Sequence, residues 1–249
     1  MTKRPIISLV SIGAGICLPL FFVIVHPDND FAGRFGFMIR DLASGNWSAG
    51  FDPWFPPLYF LMSSFFTWLG LPAFNAAQLV IAGFFVGGVI PLYYLFRSIY
   101  GTRIAWWAGC LYVLCPNLVR HVQGGGTLEE MVGALLISGV TAIYFFYHGN
   151  REWLLASGVG TVAAALALTK EESLAYALFL LAILSACELY KKWKAHRFIH
   201  RLPIKTVATC GVFLVLISPW VAYEYQKTGY PVTSKFQVLG IERLKQRLQ

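Results

Sequence analysis

The chain has 249 residues, of which 57% are hydrophobic and only 13% charged, and its mean hydropathy of +0.60 is too apolar for a soluble domain of that length. The formal net charge of +8 is not laid out as a basic patch interleaved with aromatic rings, so no nucleic-acid partner is expected. Five cysteines (Cys17, Cys110, Cys115, Cys187 and Cys210) lie in or at the ends of apolar runs without zinc or redox spacing, which suits packing.

The first apolar run, Ile6 to Val25, would reach ~30 Å as a helix at ~1.5 Å rise per residue, enough to cross the hydrocarbon core of a bilayer. It follows Lys3 and Arg4, lacks a small-residue cleavage site, and reads as an uncleaved anchor. Asp28 and Asp30 come just beyond it. Between Phe31 and Leu42, the residues Phe31, Phe35, Met38, Ile39 and Leu42 recur at helical spacing, with Gly33, Gly36 and Arg40 opposite. This predicts an interfacial helix lying in the headgroup plane, with Asp30 at its start. An acid there also suits an N-cap.

The stretch 57–69, with Leu58, Tyr59, Leu61, Phe65, Phe66 and Leu69, is shorter than a span and reads as re-entrant or interfacial. Apolar runs then follow at roughly 76–96, 104–119, 131–147, 153–168, 173–189 and 206–222. The predicted fold is an all-α polytopic membrane bundle of about seven transmembrane helices, one integral membrane domain over 1–249. Its parts are a first helix at 6–25, an outer loop at 26–56, the remaining helices at 57–222 and an outer tail at 223–249.

With the amino terminus in the cytoplasm, Arg97, Arg103, Arg151 and the cluster Lys191, Lys192, Lys194, Arg197, Arg201 and Lys205 all fall on the cytoplasmic side, as the positive-inside rule requires. They would also suit anionic headgroups of the membrane lipids. On this topology only Glu152 and Glu188 are cytoplasmic acids. Asp28, Asp30, Asp41, Asp52, Glu129, Glu130, Glu171, Glu172, Glu224 and Glu242 fall outside. Short outer loops need polar residues in any case, so each acid taken singly has two readings.

The order of motifs resembles the GT-C glycosyltransferases, in particular the bacterial branch related to the protein mannosyltransferases and the lipid A aminoarabinose transferase. The stretches that carry the resemblance are Asp30 with the helix ending Leu42-Ala43-Ser44-Gly45-Asn46-Trp47, Pro56-Pro57-Leu58-Tyr59, Leu69-Gly70, and Tyr100-Gly101-Thr102-Arg103 with Ala105. Leu128-Glu129-Glu130, Leu168-Thr169-Lys170, Ser218-Pro219-Trp220 and Thr228-Gly229 follow in order. No one of these is specific; their order and their positions relative to the apolar runs make the match, which extends over nearly the whole chain.

The resemblance implies a membrane glycosyltransferase that moves sugar from a polyprenyl-phosphate donor to an acceptor hydroxyl at the outer face of a bacterial or archaeal cell membrane. The acceptor, whether protein, lipid or glycan, stays open. Asp30 matches the family's catalytic carboxylate and would accept the proton of the attacking hydroxyl. Lys170 matches the lysine that contacts donor phosphate. Snorkelling, or pairing with Glu171 or Glu172, would also explain Lys170. Arg34 and Arg120 are further phosphate-binding candidates, and Glu129, Asp28 and His121 substrate-binding ones. Arg120 and His121 equally mark a water interface, and Gly124-Gly125-Gly126 reads as a substrate entrance or a flexible turn.

The spacing Asp28-Asn29-Asp30 is similar to the metal-binding acids of nucleotide-sugar transferases, but those belong to a soluble fold. No metal or other cofactor is expected. The chain departs from the aminoarabinose pattern at Phe31, Gly33 and Phe55, where that pattern has Glu, Arg and Lys. This argues against that particular transferase and leaves the sugar open. Family members usually continue with further helices and an outer domain, so the chain is expected to correspond to the front module, a piece of a longer protein or half of a two-chain enzyme. The alternative is a non-catalytic polytopic protein, such as a truncated transferase, a lipid-binding subunit or a transporter. A transporter would place its ionisable residues nearer the bilayer midplane.

Overall fold

A computed structural model describes residues 4–21, 31–53, 55–115, 128–149, 151–194 and 204–229. Among the described residues every regular element is helical. In chain order these are α1 (Arg4–Cys17), a 3₁₀ turn (Leu18–Phe21), a π turn (Phe31–Phe35), α2 (Gly36–Ala43), α3 (Trp47–Gly50), α4 (Leu58–Trp68), α5 (Ala73–Tyr100) and α6 (Thr102–Val113). They continue with α7 (Glu129–His148), α8 (Glu152–Ala167), α9 (Ser173–Lys194) and α10 (Ile204–Thr228).

Four of these helices, α5, α7, α9 and α10, are long and apolar enough to cross a membrane, whereas α1, α4 and α8 are shorter apolar helices. The α5 helix, 28 residues long, reaches ~42 Å and exceeds the hydrocarbon thickness. The first predicted span departs from one regular helix. Its α-helix stops at Cys17 and tightens into the 3₁₀ turn, because Pro19 has no N–H to donate back along the helix and disfavours helical geometry at Leu18.

Three apolar clusters hold the bundle. One joins α2 and α4 to the first half of α5 and the start of α7, through Phe35, Ile39, Tyr59, Phe60, Ile81 and Met131. A second lies among α7, α8, α9 and α10, and a third joins α1, α6 and the second half of α5. The α8 helix is central to the second cluster. Its Ala156, Gly160, Ala163 and Ala164 are buried, and a Cβ on Gly160 would come within 2.7 Å of the Thr209 carbonyl oxygen on α10. Thr209 in turn donates to the Ala156 carbonyl at 3.0 Å. Small residues and interhelical hydroxyl bonds of this kind let backbones approach where lipid offers no hydrophobic drive between helices.

The expected face of α2 is present, but it meets protein. Phe31, Phe35, Met38, Ile39 and Leu42 are all buried, packed on α4 and α5, so the helix is docked on the bundle by its apolar side. Gly36 belongs to the buried side too, with the Phe31 ring 3.1 Å from where its Cβ would be, so the expected position opposite is corrected. Arg40 is exposed and its Nε donates to the Gly36 carbonyl at 3.0 Å. The expected tail also begins later than residue 223: α10 continues to Thr228 and ends at Gly229, whose φ of 77° is the left-handed stop that glycine tolerates best.

The charges separate to opposite ends of the bundle. At one end, called basic here, Glu152 pairs with Lys191 at 2.8 Å and with Lys205. Glu188 accepts the Thr206 N–H at 2.8 Å and its hydroxyl at 2.7 Å, and pairs with Lys192 at 3.3 Å. The opposite end carries Asp41, Asp52, Glu129, Glu171 and Glu172, and is called acidic.

Candidate functional site

Two expected site residues come together at the acidic end. Lys170 lies in the turn between α8 and α9, where its Nζ donates to Glu129 Oε1 at 3.0 Å and meets Glu172 Oε2 at 3.0 Å. Glu129 opens α7, so residues 41 positions apart share one charge cluster. Partial burial pulls the Lys170 ammonium downward, but the hydrogen bonds and negative charges of Glu172 and Glu129 outweigh it and hold the group above the ordinary lysine value. The pairing with Glu172 is one of the alternatives that the sequence leaves open for Lys170, while Glu129 is the partner that spacing alone did not suggest.

Backbone termini position this turn. The first N–H of α4, from Leu58, has no partner within its own helix, and the Leu168 carbonyl at the end of α8 has none within α8. They satisfy each other at 2.8 Å. The same bond joins two of the sequence motifs, Pro56-Pro57-Leu58-Tyr59 and Leu168-Thr169-Lys170. Thr169 is fully buried with its hydroxyl on the Ala165 carbonyl at 2.7 Å, so the chain turns outward only at Lys170.

A third motif closes the site from α10. Trp220 stacks on Tyr223, with centroids 5.3 Å apart, and both rings lie against Phe51. The Tyr223 hydroxyl donates to the Phe51 carbonyl at 3.0 Å, so the segment after α3 is held over the end of α10. Beneath it is a cavity of about 50 Å³, room for a few waters, lined by Pro53, Pro56, Leu168, Glu171, Trp220 and Glu224 among others. Glu224 is buried, an acid that the sequence places only broadly on the outer side and without a role.

Arg34 does not reach the Lys170 cluster as an ion-pair partner; its guanidinium pairs with Asp52 and lies 4.8 Å over the Phe55 ring. Of the paired acids at the start of α7, Glu129 has a half-exposed side chain whereas Glu130 is 1% exposed and acts electrostatically on Tyr112 of α6. Apolar periodicity gives no sign of that burial, because the two glutamates are adjacent in sequence and differ only in the side of α7 they take. Asp28, Asp30, Arg120 and His121 lie outside the described residues. Among the described residues no group of three or more His, Cys, Asp or Glu side chains is placed to hold a metal ion.

No family model, curated protein or solved structure matches this chain.

Proposed function

We propose that this chain is the catalytic membrane module of a glycosyltransferase that takes sugar from a polyprenyl-phosphate donor and acts at the acidic end of the bundle. The observation that supports the reading most is Lys170, a partly exposed ammonium held by exchangeable carboxylates in a turn whose neighbours Leu168 and Glu171 line the cavity, and which is anchored through the Leu58–Leu168 bond. Donor phosphate would take the place of one carboxylate there. In the transfer step the acceptor hydroxyl gives its proton to the Asp30 carboxylate while its oxygen bonds to the anomeric carbon. The bond from that carbon to the phosphate oxygen breaks, and the polyprenyl phosphate leaves with the electron pair, its charge met by Lys170. The sequence puts Asp30 immediately before Phe31, whose ring packs 5.1 Å from that of Phe74 at the start of α5.

The reading includes seven membrane passes, with the four long helices joined by α1, α6 and α8, a cytoplasmic basic end and an outer acidic end. In a variant without native cysteines, a cysteine at Ser44 is expected to label from outside and one at Lys194 from inside; the reverse would overturn the topology. For the activity, transfer of radiolabelled sugar from lipid-linked donors is measured in membranes. Asp30→Asn keeps the size of the side chain and removes the base, and is expected to lower turnover roughly 10²–10⁴-fold. Equal activity of Asp30→Asn and the wild type would overturn the assignment. Absence of transfer by the wild-type chain across the donor panel would favour a non-catalytic membrane protein, in which the Lys170 pairs only fasten α7 to α9.

A further inference from the structure

A second recess opens at the acidic end and shares Pro53 with the first cavity. It is a groove of about 400 Å³, within the size range of small-ligand sites, between α2 with its preceding π turn on one wall and the chain after α3 on the other. Arg34, Phe37 and Asp41 line the first wall, and Phe51, Asp52 and Pro53 the second. Arg34, Phe37 and Asp41 follow one another at spacings of three and four, which aligns them along one side of a helix. The neighbouring side is the apolar one that docks on α4 and α5, so this short segment carries a core side and a groove side.

The chemistry of the walls is selective. Phe37 keeps 57% of its surface exposed, and Phe51 faces the groove from the opposite wall with its position fixed by Trp220 and Tyr223. Asp52 is held by Arg34, which is itself laid over Phe55, so one acceptor group is oriented in advance. Arg34, Asp41 and Asp52 line the groove, and Arg40, whose guanidinium lies 4.8 Å over the Phe37 ring, balances their excess negative charge, so the surroundings are neutral overall and favour an uncharged ligand over an ion. Carboxylates accept hydrogen bonds from hydroxyl groups, and aromatic faces cover the C–H side of a ring. Gly50 allows this wall to stand where it does: a Cβ there would lie 2.5 Å from Leu42 Cγ and 2.9 Å from the Leu42 nitrogen.

We infer that this groove binds a neutral, hydroxyl-rich saccharide ring, the part of the acceptor that carries the attacking hydroxyl. The placement of that ring as acceptor rests on the transferase reading above, while its binding does not. Pro53 lines both recesses, so the groove adjoins the cavity that Leu168 and Glu171 line.

Saturation-transfer NMR on the full chain in lipid nanodiscs tests the inference, with methyl α-mannoside, N-acetylglucosamine and tetramethylammonium as probes. At least one saccharide is expected to receive saturation at its ring C–H protons. Phe37→Ala, which removes the apolar face under the ring, and Asp41→Asn, which removes a charged hydrogen-bond acceptor, both on exposed or half-exposed side chains, are each expected to weaken that binding about tenfold. Lys170→Ala is expected to leave it unchanged. No signal from either saccharide, a signal that survives both groove variants, or binding of tetramethylammonium alone would overturn the inference. Saccharide binding without any sugar transfer would refute the transferase reading and leave the groove assignment standing. Transfer that is unaffected by both groove variants would do the opposite.

Discussion

The two ends of the bundle hold their charges in opposite ways. At the basic end carboxylates are shared among cations: Glu152 serves Lys191 and Lys205, and Glu188, 4% exposed, serves Lys192 and two donors of Thr206. At the acidic end a cation is shared among carboxylates, and the side chains of Glu129 and Glu172 are 51% and 67% exposed. Loss of Glu188 from the first arrangement leaves the buried donors of Thr206 unmet, whereas exposed pairs contribute only ~0.2–1 kcal/mol each and exchange readily for another anion. Ion pairing alone therefore does not mark a site. What separates the two ends is whether the partner can be replaced.

That contrast can be broken by substitution. On the proposed transferase reading, the largest effect is expected for Lys170→Ala, which should lower transfer from the lipid-linked donor by roughly 10²–10³-fold, the range seen when a group stabilising developing negative charge is removed. Thermal unfolding should move little. An unchanged rate, or a loss of rate matched by a loss of fold, would place Lys170 with the basic-end lysines. Next comes Glu188→Ala, which leaves the Thr206 donors without an acceptor and should cost about 1–3 kcal/mol of stability. The kcat of the folded fraction should stay as it was. A specific loss of kcat with stability intact would contradict the division between the ends.

Smaller still is Glu129→Gln. It frees Lys170 from one competing charge and should lower the KM for donor roughly two- to fivefold, the equivalent of one exposed pair. A higher KM would show instead that Glu129 contacts the substrate. The smallest effect is that of pH. The Lys170 pKa is raised by its partners, so its pairing is fully present below the unfolded lysine value of ~10.4 and is lost only as pH rises through the folded value. Donor binding should therefore be flat in its lysine-dependent part from pH 6 to about 9 and fall under more alkaline conditions. A fall centred near neutrality would assign the phosphate contact to another group.

Much of the helical layout was legible from apolar run length: the run at 76–96 became α5 over 73–100, and those at 153–168 and 173–189 became α8 and α9 with ends shifted by a few residues. Periodicity also identified the buried side of α2. It could not say what covers that side, because a lipid and a protein neighbour reward the same residues, and here the neighbours are Tyr59, Phe60 and Ile81. The shortness of α4 was legible in the run at 57–69, but composition hid that of α1, since a proline ends a helix without changing the hydropathy around it. At the site, Lys170 stood out as a charge ending an apolar run. Its partnership with Glu129 did not, because it depends on α7 and α8 being adjacent. The burial of Glu130, Glu188 and Glu224 was equally invisible, for the choice between water and interior is made by helix rotation.

One clasp described above also sets a schedule. Tyr223 grips the Phe51 carbonyl across 172 residues of chain. At ~5–20 residues per second of synthesis, roughly 10–30 seconds separate the appearance of Phe51 from that of its partner. Through that interval both recesses lack their fixed common wall. The nascent protein can thus insert and pack most of its helices before it owns a finished site, and the hydroxyl of Tyr223 supplies the closing bond.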